Sequence, residues 1–231
     1  MKNQLTIFFS SILQCYFVLS VSFFAIANCE QKKDKETQGF LNEDANVLLA
    51  GALFFSTYRS NGDGTITDSS IGLTWKICSQ GQTYVATSGG YSCEGASLIN
   101  NGWGAVQLQY CNLNNDACNA VSLPKALVPV SQIGVAGSSE AYNSCSGDRT
   151  GGYSNWRVAS YTELKLLSSS SRAEMLMKFP DTIEDLYWSA WANEQDPSNQ
   201  TARAVSFARD KFGTDNASNK TNRYFVRCVR P

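Results

Sequence analysis

The sequence predicts an α+β domain held together by disulfides, and three observations carry that expectation. A β-rich hairpin, "TITDSSIGLTWKIC" (Thr65 to Cys78), comes first, and two stretches with helical spacing of apolar residues follow it. The last third contains "LYWSAWAN", "ARAVSFARD" and "RYFVRCVR", aromatic and β-branched with partial alternation, which reads as three strands. Helices grouped between strands do not make the alternating array of a parallel sheet, so an antiparallel sheet is expected.

Residues 1–28 carry one early charge, Lys2, and then an apolar run that stays uncharged up to Glu30. That is the layout of a secretory signal peptide, although the run is also long enough for a membrane anchor. "AIA" (Ala25 to Ala27) suits ordinary cleavage and secretion, whereas "IANC" (Ile26 to Cys29) resembles a bacterial lipobox whose Cys is lipidated. Asn28 departs from the usual small residue of that motif. Of the eight Cys, Cys15 leaves with the signal and six lie in the body, so Cys29 is left without a partner. A lipid on Cys29 removes that exposed thiol and makes the membrane a partner. Residues 29–45 are polar and mixed in charge, and read as a flexible tether. The folded domain is expected over residues 46–231, displayed at the bacterial envelope, on the outer membrane or cell surface. It begins with "VLLAGALFF" (Val47 to Phe55), too short to span a bilayer.

"SNGDGTITD" (Ser60 to Asp68) resembles the start of a calcium loop, but the pattern fails at both ends. With Gly64 at the sixth position, Arg59 would stand first and Ser70 twelfth, where carboxylates are needed. Asn61 to Gly64 therefore reads as a turn that delivers the chain into a strand. From Gln80 to Gly104, Gly, Ser, Tyr and Asn point to a loop or short hairpin, closed by a local bridge between Cys78 and Cys93. Ala105, Leu108 and Cys111 in "WGAVQLQYCNLN" have helical spacing and predict a first helix. Asn114 to Tyr153 reads as loop. In "RVASYTELKLL", Ser160 and Glu163 form a capping box, with Leu164 and Leu167 as the buried stripe of a second helix. "SSRAEMLMKFP" predicts another short helix that stops at Pro180.

The chemistry is narrowed by what is missing. The chain has no His, which disfavours the commonest general base and the commonest zinc ligand together. Six body Cys in an exported chain imply three disulfides, and no CxxC pair argues for metal, so no metal, cofactor or catalytic residue is expected. Charge is nearly balanced, 19 basic against 20 acidic, and no nucleic-acid partner is implied. The last segment is different. Arg203, Arg209, Lys211, Lys220, Arg223, Arg227 and Arg230 face only Asp210 and Asp215, and Arg forks on neighbouring strands suit sulfate, carboxylate or phosphate groups.

Taken in order, "NGDGTITDSSIGLTWKIC", "YSNWRVASYTELKLL", "YWSAWAN" and "RYFVRCVR" resemble the bacterial Lcl C-terminal domain-like family, a domain of unknown function found at the end of a collagen-like adhesin. Val158-Ala159 stands where that family usually has Leu-Pro after Trp-Arg. The resemblance implies a ligand-binding domain, and the adhesin's association with sulfated glycosaminoglycans agrees with a basic face. More distantly, "AVQLQYC", "WRVAS" and "YFVRC" are similar to the layout of C-type lectin-like domains and of the formylglycine-generating enzyme family. That layout implies two main helices and a bridge from the first-helix Cys to the last-strand Cys, here Cys111 to Cys228, leaving Cys118 with Cys145. The sugar-binding triplets of calcium-dependent lectins are not matched: in "EQDPSNQ", Asp196 precedes Pro197 and Ser198 follows it.

The sequence therefore leads to an envelope lipoprotein that displays a non-catalytic, adhesin-like domain for an extracellular ligand, with an anionic glycan as the candidate. A structural envelope protein without a host ligand is the alternative. An oxidase-like enzyme, less favoured, would need free thiols at Cys111 and Cys118. Oligomeric state is left open.

Overall fold

The computed structural model describes residues 57–95, 103–129, 132 and 136–231, all within a compact unit that spans Ala45–Pro231. The signal segment, the Cys29 lipidation site, the tether and the Val47 to Phe55 run lie outside the described residues.

Strands β1 (Tyr58–Ser60), β2 (Thr65–Asp68) and β3 (Leu73–Lys76) form an antiparallel meander. The turn between β2 and β3 is fixed by Asp68, whose Oδ1 accepts from the backbone N–H and hydroxyl of Ser70, and by Gly72 at φ +66°. The last strand, β12 (Cys228–Arg230), lies beside β3 with Val229 opposite Trp75, and β7 (Arg157–Val158) flanks it on the other side. The five-stranded order β1-β2-β3-β12-β7 thus joins the beginning and the end of the domain.

A second antiparallel sheet has the order β10-β9-β8, from β8 (Leu186–Ala192), β9 (Thr201–Ser206) and β10 (Asp215–Asn219). Its residues alternate between two cores, as a period of two requires. Tyr187 and Val205 point into a cluster with Ile66, Trp75, Leu164, Leu167, Met175, Phe179 and Val229. Trp188, Ala202 and Ala204 point the other way, into a cluster with Tyr110, Trp156, Val158 and Val226. Two pairs complete the strands: the hairpin of β4 (Thr83–Thr87) and β5 (Gly90–Glu94), and β6 (Leu108–Gln109) with β11 (Arg223–Tyr224).

Among the described residues three α-helices cover these sheets: α1 (Glu140–Ser146), α2 (Tyr161–Leu167) and α3 (Arg172–Lys178). The capping box expected at Ser160 and Glu163 is formed, and Ser171 with Glu174 repeats it on α3. Leu164 and Leu167 are buried beneath α2 as the stripe requires. The α+β class is therefore what the chain adopts.

Three expectations need correction. The stretch around Ala105 to Cys111 is not a helix: Gly104 stands at φ +88°, and Leu108 and Gln109 pair with Tyr224 and Arg223 as strands. A helix appears instead in the stretch read as loop, where Ser139 caps α1 by accepting from the N–H of Tyr142. The disulfides change with it. Cys78–Cys93 closes the β4–β5 segment as expected, but Cys111 bonds Cys118, and Cys145 bonds Cys228. The Cys111 to Cys228 and Cys118 to Cys145 pairings expected from the resemblance are therefore not made. The cause is the helix: α1 packs against β7 and carries Cys145 to 5.6 Å, Cα to Cα, from Cys228 on the neighbouring strand β12. Spanning 83 residues, this bridge stabilises by about 4 to 5 kcal/mol in the chain-entropy model.

Candidate functional site

The seven basic residues of the last segment separate into three environments. Lys220 and Arg227 are buried, 1% and 0% exposed, and are absent from any surface. Lys220 Nζ donates to the carbonyl of Asn115 at 2.7 Å and to Asn119 Oδ1 at 2.8 Å, and burial pushes its pKa down to about 8. Arg227 donates to the carbonyls of Lys76 and Ile77 and to Thr182 Oγ1, over the face of Phe179. These two cations are internal structure.

Arg223 and Arg230 reach the surface but are engaged. Arg223 forks onto Glu140 of α1, closest at 2.7 Å, which ties β11 to the helix. Arg230 donates to Asn155 Oδ1 and lies 3.9 Å from the Tyr153 ring centre. They are on different sheets, so the expected seven-residue face is not assembled.

What remains is local. Arg203 on β9 places its guanidinium 4.8 Å from the Tyr161 ring centre, and Tyr161 leans on Trp191 of β8 with centroids 6.3 Å apart and ring planes 38° apart. None of the guanidinium N–H groups of Arg203 has a protein acceptor among the described residues. Arg209 and Lys211 follow in the exposed turn between β9 and β10. Lys165, not among the residues singled out from sequence, joins from α2 and donates to the carbonyl of Gly213 and to Asp215 Oδ1 at 2.8 Å. The second oxygen of Asp215 accepts from the Tyr161 hydroxyl. Although burial opposes it, the hydrogen bonds from Lys165 and Tyr161 and the charge of Arg203 hold the Asp215 carboxyl below its ordinary value. For Tyr161, burial and then the neighbouring Asp215 push the phenol up.

This patch has a definite chemical capacity. Arg203, Lys165, Arg209 and Lys211 outnumber Asp210 and Asp215, so the local field favours an anion. A stacked guanidinium with an open fork is suited to the two coplanar oxygens of a carboxylate or sulfate. Trp191, partly exposed beside this stack, has a ring of the kind that receives a sugar.

A second concave region has the opposite character. Two adjoining cavities of about 470 and 360 Å³ share Trp103, which is 54% exposed, and Asp181. Their carboxylates are already used by the fold: Asp181 accepts from the N–H of Cys93, Asp185 from that of Leu186, and Glu184 pairs with Arg172. An anionic ligand would be repelled here.

Two other sequence motifs resolve into structure. Asp63 Oδ1 accepts from the N–H and hydroxyl of Thr65, with Gly62 and Gly64 at positive φ, so "NGDG" is a turn. In "EQDPSNQ", Asp196 organises the β8–β9 connection by accepting from Ser198, Gln200 and Thr201, and the hydrogen bonds from Ser198 and Thr201 depress its pKa. The thiols that an oxidase-like reaction would use at Cys111 and Cys118 are spent on each other.

Among known families, the model described as the Lcl C-terminal domain matches residues 64–230. No curated protein and no solved structure matches the chain.

Proposed function

The chain belongs to the Lcl C-terminal domain family, and from that premise we propose that it is a non-catalytic binding module of the bacterial envelope. It is carried on the lipidated Cys29 and the tether over residues 29–45, and it recognises an anionic glycan. One observation carries this reading: the Arg203 guanidinium, stacked on Tyr161 beside Trp191, keeps its N–H fork open. Arg209 and Lys211 extend the positive field along the next turn. In the proposed complex a sugar ring rests on Trp191 while its carboxylate or sulfate receives the Arg203 fork.

A C-type lectin-like arrangement is part of the proposal. Cys145 of the first described helix is bridged to Cys228 of the last strand, the kind of link that layout implies, although on a different Cys from the one expected.

The test is retention of the purified full-length chain on immobilised heparin and on a neutral polysaccharide across a salt series. The expected result is saturable heparin binding that weakens as salt rises and falls in Arg203→Ala and in the double variant Arg209→Ala with Lys211→Ala. Absence of heparin binding at physiological salt would retire the anionic-glycan reading. It would leave a structural envelope protein as the better description.

A further inference from the structure

Lys220 stands outside the binding patch, and its surroundings suit a reaction better than a contact. Its ammonium is buried at the start of the turn into β11 and has no carboxylate within ion-pair distance among the described residues. Its Nζ is nevertheless 2.8 Å from Oδ1 of Asn119, a side chain that is itself buried. The carboxamide is held from the other side as well: Asn119 Nδ2 donates to the Tyr110 hydroxyl and to the carbonyl of Lys125. Tyr110 is fully buried and packs edge-on against Trp188. An amine and a primary amide are thus fixed together, with the Tyr110 hydroxyl accepting from the amide and donating to the carbonyl of Ala190.

We propose that Lys220 and Asn119 form an intramolecular isopeptide bond. The Lys220 ammonium first gives up a proton, a loss that burial favours and that the charges of Asp116 and Asp196 only partly oppose. Nζ then bonds to Cγ of Asn119, the Cγ–Nδ2 bond breaks, and the amide nitrogen departs as ammonia, which takes up the released proton and leaves as ammonium. Atoms and charge balance with no oxidant or cofactor. Tyr110 orients the leaving group: its hydroxyl accepts from Nδ2 and donates its own proton to the carbonyl of Ala190, so the departing nitrogen takes its extra proton from the attacking amine. Fixing the amine and the amide at hydrogen-bond distance supplies the proximity that makes an otherwise slow exchange feasible.

The product would change how the domain is braced. Cys111–Cys118 closes a small loop, and Asn119 follows directly after it. A Lys220 link would fasten that loop to the entry of β11 by a bond that no reductant can open.

The experiment is a peptide map of the purified full-length chain after reduction, alkylation and trypsin. The expected result is a linked pair of peptides containing Asn119 and Lys220, lighter than their sum by one ammonia, with loss of tryptic cleavage after Lys220. Asn119→Ala should restore cleavage and abolish the link. Asn119→Asp, if it links, should do so with loss of one water in place of ammonia, and Tyr110→Phe should slow linkage at least several-fold. Fold is checked separately by mapping the three disulfides under non-reducing conditions. Separate peptides, with complete cleavage after Lys220 in protein whose disulfides are correctly formed, would overturn the proposal.

Discussion

The guanidinium of Arg227 sits 4.5 Å from the centre of the Phe179 ring, where the segment leading to β12 passes the end of α3. Its N–H groups reach two carbonyls near β3 and the hydroxyl of Thr182, so one side chain joins three parts of the chain. No carboxylate pairs with it among the described residues, and the charge is held by carbonyl dipoles and aromatic faces. Arg227→Ala should therefore take the guanidinium donors from the Lys76 and Ile77 carbonyls and from Thr182 Oγ1, and leave a cavity beneath Phe179. The expected loss is on the order of 3 kcal/mol or more in urea unfolding. Heparin retention by the folded fraction should be unchanged; a stable variant that no longer binds heparin would mean the side chain acts at the surface.

Acid sensitivity should have a traceable source. Lys76 on β3 bonds Asp148 at 2.6 Å, and both side chains are largely buried. Burial alone would raise the Asp148 pKa, but the hydrogen bonds from Lys76 and Thr150 outweigh it and lower the carboxyl in the folded state. A carboxyl with a depressed folded pKa contributes stability that is complete above its unfolded value, about 3.9. That contribution is lost as pH falls through the lower folded value. Urea midpoints should hold steady from neutral pH down to the ordinary carboxylate range and then drop. In Asp148→Asn the starting stability should be lower and the drop shallower. An equal drop in the variant would assign acid sensitivity elsewhere, with Glu163, lowered by Arg157 and the capping box against the effect of burial, as the next group to change.

How much of this was legible depended on how far each signal lies from its partner along the chain. The Ser160–Glu163 box and the Leu164, Leu167 stripe are local, and both were readable. Helix α1 offers only Ala141 and Cys145 on its inner face, too small a stripe to stand out in a polar stretch. Ala105, Leu108 and Cys111 have a helical interval by coincidence; their partner β11 lies more than a hundred residues downstream, and that pairing decides their conformation. Strand β10, "DNASN", is a polar edge strand with one buried residue, so alternation could not reveal it. The basic face failed for a related reason. A sequence counts charges but does not say which are buried, and Lys220 and Arg227 are enclosed by residues drawn from across the chain. The residues used in the proposed patch, Arg203, Arg209 and Lys211, lie close together in sequence.

The disulfide pattern makes a quantitative comparison possible. The 83-residue separation of Cys145 and Cys228 should make this bridge worth about 4 to 5 kcal/mol. Cys111–Cys118, with a separation of 7, should be worth about 2 to 3. Replacing each pair by Ser and measuring thermal and urea unfolding should give losses in that order. A non-reducing peptide map that joined Cys111 to Cys228 would contradict the arrangement of α1 against β12.

Tyr161 allows the proposed binding patch to be dissected without removing a charge. Its ring supports the Arg203 guanidinium at 4.8 Å, while its hydroxyl serves Asp215, which Lys165 also holds. Tyr161→Phe should preserve the stack and leave heparin affinity close to that of the parent chain. Tyr161→Ala removes the platform that orients the fork, and a partly exposed cation–π contact of ~0.5–1 kcal/mol corresponds to roughly two- to five-fold weaker binding. Because Tyr161 is the first residue of α2 and the cap is formed by Ser160 and Glu163, the helix start should survive either change. Arg203→Lys keeps the charge but gives up the planar fork, so it should bind more weakly than the parent and fall off more steeply for carboxylated sugars than for a diffuse polyanion. If Tyr161→Ala and Arg203→Lys both bound heparin as the parent does, the stack would have no part in recognition. The positive field of the β9–β10 turn alone would then carry it.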